Sequence, residues 1–158
     1  MTLRAVAEVN LAAIERNAAT IISRLSPGTR LCAVVKADAY GHGAIPAAGA
    51  ALRGGATELA VATAQEAAEI MRELGRPALV LGAISQEELP IAVREGRATV
   101  TAWDLGFVAS LAREAERSGP IDVHVKLDTG LGRLGTRVAD QALAVAEAVE
   151  AAPGLRLT

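Results

Sequence analysis

A chain of 158 residues, 51% of them hydrophobic, can bury one substantial core, and its length predicts a single domain. Its formal net charge of -2, with arginine and glutamate scattered rather than blocked, gives no electrostatic footprint for nucleic acid or an anionic membrane. No apolar run approaches a membrane span, and the first residues, where Arg4 and Glu8 lie close together, lack the apolar centre of a signal peptide; a cytoplasmic protein is expected.

Val6 to Val9 predicts a short opening strand, and Asn10 is a good N-cap for a helix to about Leu25. Ser26-Pro27-Gly28 ends it. Leu31 to Val35 is an apolar run of strand length that stops at Lys36. Cys32, the single cysteine, is expected to point inward, with its thiol pKa raised by aliphatic neighbours, so it is read as packing and not as a nucleophile. A helix over Ala44 to Arg53 closes at Gly54-Gly55, and a strand over Glu58 to Thr63 leads to a Thr63 cap and a helix from Ala64 to Leu74. Ala78 to Leu81 is the third strand. Ser85 and Glu88 have capping-box spacing for a helix to about Arg94. Thr99 to Thr101 is a short strand, Asp104 caps a helix to Arg117, and Ile121 to Leu127 is the fifth strand. A glycine-rich loop, a helix from about Val138 to Ala151 and the start of a strand at Leu155 complete the pattern.

Strand and helix alternate strictly with short connections, which argues for parallel βα units. An open doubly wound sheet would be complete at this size, whereas a (β/α)8 barrel typically takes about 250 residues; the pattern alone favours the open sheet.

Two stretches have the composition of a reactive site. In LCAVVKADAYGHG, residues 31 to 43, an apolar strand delivers the Lys36 amine to a turn. Partial desolvation there disfavours the ammonium form and leaves amine to attack a carbonyl; the alternative is that Lys36 marks the solvent end of the strand. The second stretch, Gly130 to Gly135, satisfies G-x-G-x-x-G between a strand and a helix, a weak dinucleotide fingerprint because no acidic residue closes the following strand. Before it, His124, Lys126 and Asp128 alternate with Val123, Val125 and Leu127, so one strand face carries three polar groups that need partners. Lys126 and Arg133 give this region an anion-seeking character, unless His124 and Lys126 pair with acidic helix residues.

KADAYGHG at 36 to 43 together with HVKLDTGLGRLG at 124 to 135 resembles the alanine racemases, the fold-type-III pyridoxal-phosphate enzymes. EVNLAAIERN near the start, ELAVATAQEA at 58 to 67 and VLGAISQEELP at 80 to 90 look like that family's segments in the right order. The resemblance overturns the open sheet. It implies an α/β fold that is a partial (β/α)8 TIM barrel of parallel strands, roughly its first five to six βα units, with residues 1–158 the N-terminal portion and the later strands and a C-terminal β-domain absent. It further implies that Lys36 holds pyridoxal 5'-phosphate as a Schiff base and is the base on the D-alanine side. Tyr40 would donate to the cofactor phosphate. Arg133 would sit beside the cofactor's phenolic oxygen and the substrate carboxylate, and Lys126 matches a position that many members carry as a carbamate. Alanine is the expected substrate and a homodimer the expected assembly, with no metal, nucleic acid or membrane partner. The family's second base, a tyrosine, comes from the partner subunit, so this chain alone is expected to be inactive. Two other readings are a non-catalytic single-domain barrel that carries pyridoxal phosphate and a half-barrel assembly fragment.

Overall fold

Local capping chemistry sets most element boundaries in the computed structural model, which describes residues 5–158. Residues Met1–Leu59 and Ala60–Thr158 form two compact units. In the first, α1 (Leu11–Ile22) starts where the Asn10 side chain accepts the Ala13 N–H at 3.0 Å. It ends three residues short of the expected Leu25. Val6 to Val9 forms no strand, and Val6 is 77% exposed; a strand needs a neighbouring ladder, and none lies beside this segment among the described residues.

Strand β1 (Cys32–Val34) is shorter than the expected Leu31 to Val35, and only Val35 of that run is buried. It stands at the edge of the strand order, where half-burial is ordinary. Cys32 is correspondingly half-buried, and its thiol pKa is raised by burial and by the charge of Glu58, in line with an inert role. A left-handed helical turn, α2 (Lys36–Gly41), follows, and then α3 (Ala44–Arg53), whose inner face is alanine: Ala47, Ala48, Ala50 and Ala51. Small side chains let α3 lie close to α1. At Gly54 an added methyl would stand 2.7 Å from the Ala18 methyl, so only glycine fits the crossing.

The second unit continues from within β2 (Glu58–Val61). Thr63 and Glu66 make a complete capping box on α4 (Ala64–Leu74), which stops at Gly75 in the left-handed region (φ 63°). After β3 (Leu79–Val80), the Ser85–Glu88 box forms as expected, with Ser85 N–H donating to Glu88 at 2.8 Å and Glu88 N–H to Ser85 Oγ at 3.2 Å. The helix it was expected to start is instead a turn and a π-helical segment, Ile91–Glu95. Pro90 has no N–H to donate to the preceding turn, and Gly96 N–H reaches back five residues to Ile91 O. Then come β4 (Thr99–Ala102), α5 (Leu105–Ser118) capped by Asp104, β5 (Ile121–Val125), α6 (Ala139–Ala151) and β6 (Leu155–Leu157).

The strand order is β1-β2-β3-β4-β5-β6, and every pair from β2 to β6 is parallel. Order equal to sequence separates the two candidate architectures. A doubly wound sheet reverses direction at a switch point, whereas consecutive parallel neighbours without reversal build a barrel wall. The fold is thus the first part of a (β/α)8 barrel. In the second unit its core is aliphatic, with Val61, Ile70, Val80, Val100, Leu111, Ile121, Val123 and Val149 almost without exposure. The buried Thr101 hydroxyl donates to Val80 O at 2.8 Å, so this polar group is satisfied.

Candidate functional site

Lys36 stands where β1 gives way to α2, and the geometry of α2 is the least expected feature of the chain. Ala37, Asp38, Ala39 and Tyr40 have φ of 50°, 52°, 51° and 57°. None is glycine. Left-handed helix costs an L-residue roughly 1–2 kcal/mol, and non-glycine residues ordinarily adopt it singly. Hydrogen bonds that hold this run include Ala39 N–H to Val35 O and Gly43 N–H to Asp38 O, both 2.9 Å, His42 N–H to Ala39 O at 3.1 Å, His42 Nδ1 with Ala39 O at 2.9 Å, and Ala44 N–H to the Asp38 carboxylate at 2.6 Å. Asp38 thereby joins the turn to the first residue of α3. Gly41 and Gly43, at φ 83° and 87°, relax the exit.

The turn brings together two of the expected site residues. The Lys36 amine lies 5.9 Å from the centroid of the Tyr40 ring. Lys36 is half-buried and no carboxylate among the described residues engages it, while Tyr40 is 63% exposed. An unpaired primary amine beside a phenol on a rigid, strained turn fits an aldehyde cofactor that also carries an anionic group.

In the second unit, β5 ends at Val125, two residues before the expected Leu127, and the polar alternation resolves differently from the sequence expectation. His124 is exposed and Lys126 half-buried; neither forms an ion pair among the described residues, so pairing with acidic helix residues is not their role. Asp128 lies beyond the strand and is 7% exposed. Its carboxylate accepts the N–H groups of Gly130 and Gly132 at 3.0 Å and the Arg137 guanidinium at 3.1 Å. The Gly132 and Gly130 donors, with Arg137 beyond them, pull its pKa from the ordinary 3.8 down to about 2, against the opposing effect of burial. The clamp also removes the nucleotide reading, because the amides a pyrophosphate would need already serve Asp128, and α6 starts four residues after Gly135.

Arg133 is exposed in this loop and has no hydrogen bond or ion pair among the described residues. Lys126 lies under the loop's far end: a methyl on Gly135 would come within 2.9 Å of its Cγ and would collide with its carbonyl oxygen. Sequence reasoning missed Asp38, Asp128 and Arg137 as supports. The Asp128-x-Gly130-x-Gly132 spacing was the legible signal for one of them, since a short carboxylate followed by glycines folds back onto its own amides.

The family model for the alanine racemase N-terminal domain matches residues 9–158. The chain is 42% identical to the alanine racemase of Desulforamulus reducens over 151 residues, 94% of this chain and 40% of that protein. It is 44% identical to the alanine racemase of Nostoc sp. over 138 residues, 84% and 36% of the two chains. The crystal structure of alanine racemase from E. faecalis superposes with a TM-score of 0.85 at 34% identity, over 94% of this chain and 41% of that one. The chain thus spans about 40% of the length of the curated relatives it matches.

Two predictions test the supports. Ala37→Gly is expected to raise stability by up to about 1 kcal/mol in urea denaturation, because glycine carries no left-handed penalty. Ala19→Gly, on the exposed face of α1, should lower it by about 1 kcal/mol; equal losses at both positions would contradict the hand of the turn. The second prediction concerns pH. With its folded pKa depressed, Asp128 contributes stability that is complete above 3.8 and lost as pH falls through about 2. Asp128→Asn should therefore be less stable than wild type at neutral pH, and the two unfolding curves should converge across that window.

Proposed function

Because the chain belongs to the alanine racemase N-terminal domain family, we propose that it is the lysine-bearing part of a pyridoxal-phosphate racemase interconverting L-alanine and D-alanine. Residues 1–158 form the N-terminal portion of its barrel, and the remaining strands and a β-domain lie outside them. When bound, pyridoxal phosphate supplies the electron sink that lets an amino acid release its α-proton at neutral pH. Lys36 holds the cofactor through its amine and moves the proton on one face of the substrate's α-carbon. The Tyr40 hydroxyl donates to the cofactor phosphate, and the unpaired Arg133 guanidinium takes the substrate carboxylate.

Planarity at the reacting carbon demands a second proton-transfer group on the opposite face. By the resemblance to the family, we place that group on the partner subunit of a homodimer. These residues alone bind cofactor without racemising alanine. The product, D-alanine, supplies cell-wall peptidoglycan from the cytoplasm. No helix among the described residues is long and apolar enough to cross a membrane. The observation that carries this reading is the Lys36 amine beside the Tyr40 ring, 5.9 Å from its centroid, on a turn built against its own preferred hand.

Lys126 has a second proposed role. Its amine adds carbon dioxide and loses a proton, giving a carbamate whose negative charge pairs with a neighbouring guanidinium, for which Arg133 is the candidate. Native mass spectrometry with and without bicarbonate should show a gain of one carbon dioxide that Lys126→Ala abolishes; no gain in folded protein would remove the proposal. For the cofactor, borohydride reduction after incubation with pyridoxal phosphate should fix one pyridoxyl group on the peptide containing Lys36. Labelling spread over other amines, or unchanged total labelling in Lys36→Ala, would sink the assignment.

A further inference from the structure

At the amino ends of β4, β5 and β6, away from Lys126 and the glycine loop, lies an open cleft of about 610 Å³. Arg94, Arg97, Arg117 and Arg156 all line it. Carboxylates occupy only part of their bonding capacity. Arg94 Nε donates to Glu114 at 2.8 Å and to Ser118 Oγ at 3.0 Å, and Arg156 Nε donates to Asp122 at 2.6 Å. Arg97 and Arg117 have no hydrogen bond or ion pair among the described residues.

The Glu114 carboxylate, 4% exposed, has a pKa moved up by burial but further down by the Ser118 hydroxyl, Arg94 and Arg117, so it is charged at neutral pH. Four guanidiniums against Glu114 and Asp122 leave a local excess of two positive charges, in a chain whose formal net charge is -2. Helix electrostatics explains one of them, because Arg117 occupies the last turn of α5 and complements its negative end. Arg97 follows the π-helical segment in the left-handed region at φ 46°, where Ala98 N–H closes that segment on Ala92 O at 2.9 Å, and its guanidinium lines the cleft with no bond of its own among the described residues.

We infer that this cleft binds a small polyphosphate anion, a di- or triphosphate group. Guanidiniums arranged around one cavity match phosphate oxygens through paired N–H donors, and four of them spread around a cleft of about 610 Å³ offer donors over a span that linked phosphates fill better than a single one. The volume falls in the range of small-molecule sites. No aromatic side chain lines the cleft, so recognition rests on the phosphates and not on a stacked base. This site is separate from the residues assigned to the cofactor.

Isothermal titration of the 158-residue chain with sodium triphosphate, at low ionic strength, tests this. One triphosphate per chain is expected, with affinity falling as salt rises and inorganic phosphate binding at least tenfold more weakly. Arg97→Ala with Arg117→Ala should weaken triphosphate at least tenfold, while Arg133→Ala and Lys36→Ala leave it unchanged. Both cleft arginines are exposed, and circular dichroism verifies that the variants fold; Arg97→Glu repeats the test at a side chain with no bonds to lose. Absence of binding, equal affinity for inorganic phosphate, binding that survives Arg97→Glu and the double substitution, or loss on Arg133→Ala would each overturn the site.

Discussion

A helical turn wound against the preference of L-residues governs the first unit. Ala37 to Tyr40 would each be more stable elsewhere in φ/ψ space, and a right-handed continuation from β1 would meet no obvious steric bar in a sequence of small residues. The exit from the turn decides the matter. Gly41 and Gly43 at positive φ, Asp38 bonded to the amide of Ala44, and the alanine face of α3 on α1 fix where the chain must arrive. The strain is then a consequence of closing the shortest route from β1 to α3. Its effect is to set Lys36 and Tyr40 on one turn, with the amine 5.9 Å from the ring centroid.

The second unit solves the same problem with charge where the first uses backbone hand. Asp128 is buried, ionised and saturated by two glycine amides and a guanidinium, so the loop from Leu127 to Thr136 folds around it. Arg137 carries the compensating charge, which leaves Arg133 unpaired. A loop closed by its own carboxylate presents its remaining cation outward without a competing partner. Gly135 completes the arrangement, because any side chain there would strike Lys126.

Much of this was legible because it is local. The caps at Asn10, Thr63, Ser85 and Asp104 depend on side chains within four residues, and all four form. Helices α3 and α4 have the expected bounds, since glycine stops each of them. Strand order is not legible in composition and pattern, which cannot say whether the third strand adds to the far side of the second or returns past the first and on length favour the open sheet; the resemblance to a known family is what points to the barrel that is found. The left-handed turn was hidden for a related reason. Ala, Asp, Ala and Tyr have no propensity for it, so only the positions of β1 and α3 reveal it. At Pro90 a missing N–H overrode a correct capping signal, and the helix became a π-turn.

Strand order also gives the second unit two chemically different rims. Each βα unit runs from a strand's carboxyl end into a helix N-terminus and returns from a helix C-terminus to the next strand's amino end, so electrostatics favours cations on the returning side. Arginines at the amino ends of β4 to β6 are therefore unsurprising one at a time. What helix ends do not require is four of them around one cleft, with Arg97 and Arg117 left without an ion pair among the described residues. At the carboxyl end of β5 the same accounting applies to Arg133, since Asp128 is satisfied without it. In both places the informative residue is the cation left over once structural pairing is complete, and that surplus is what each rim has to offer an anion.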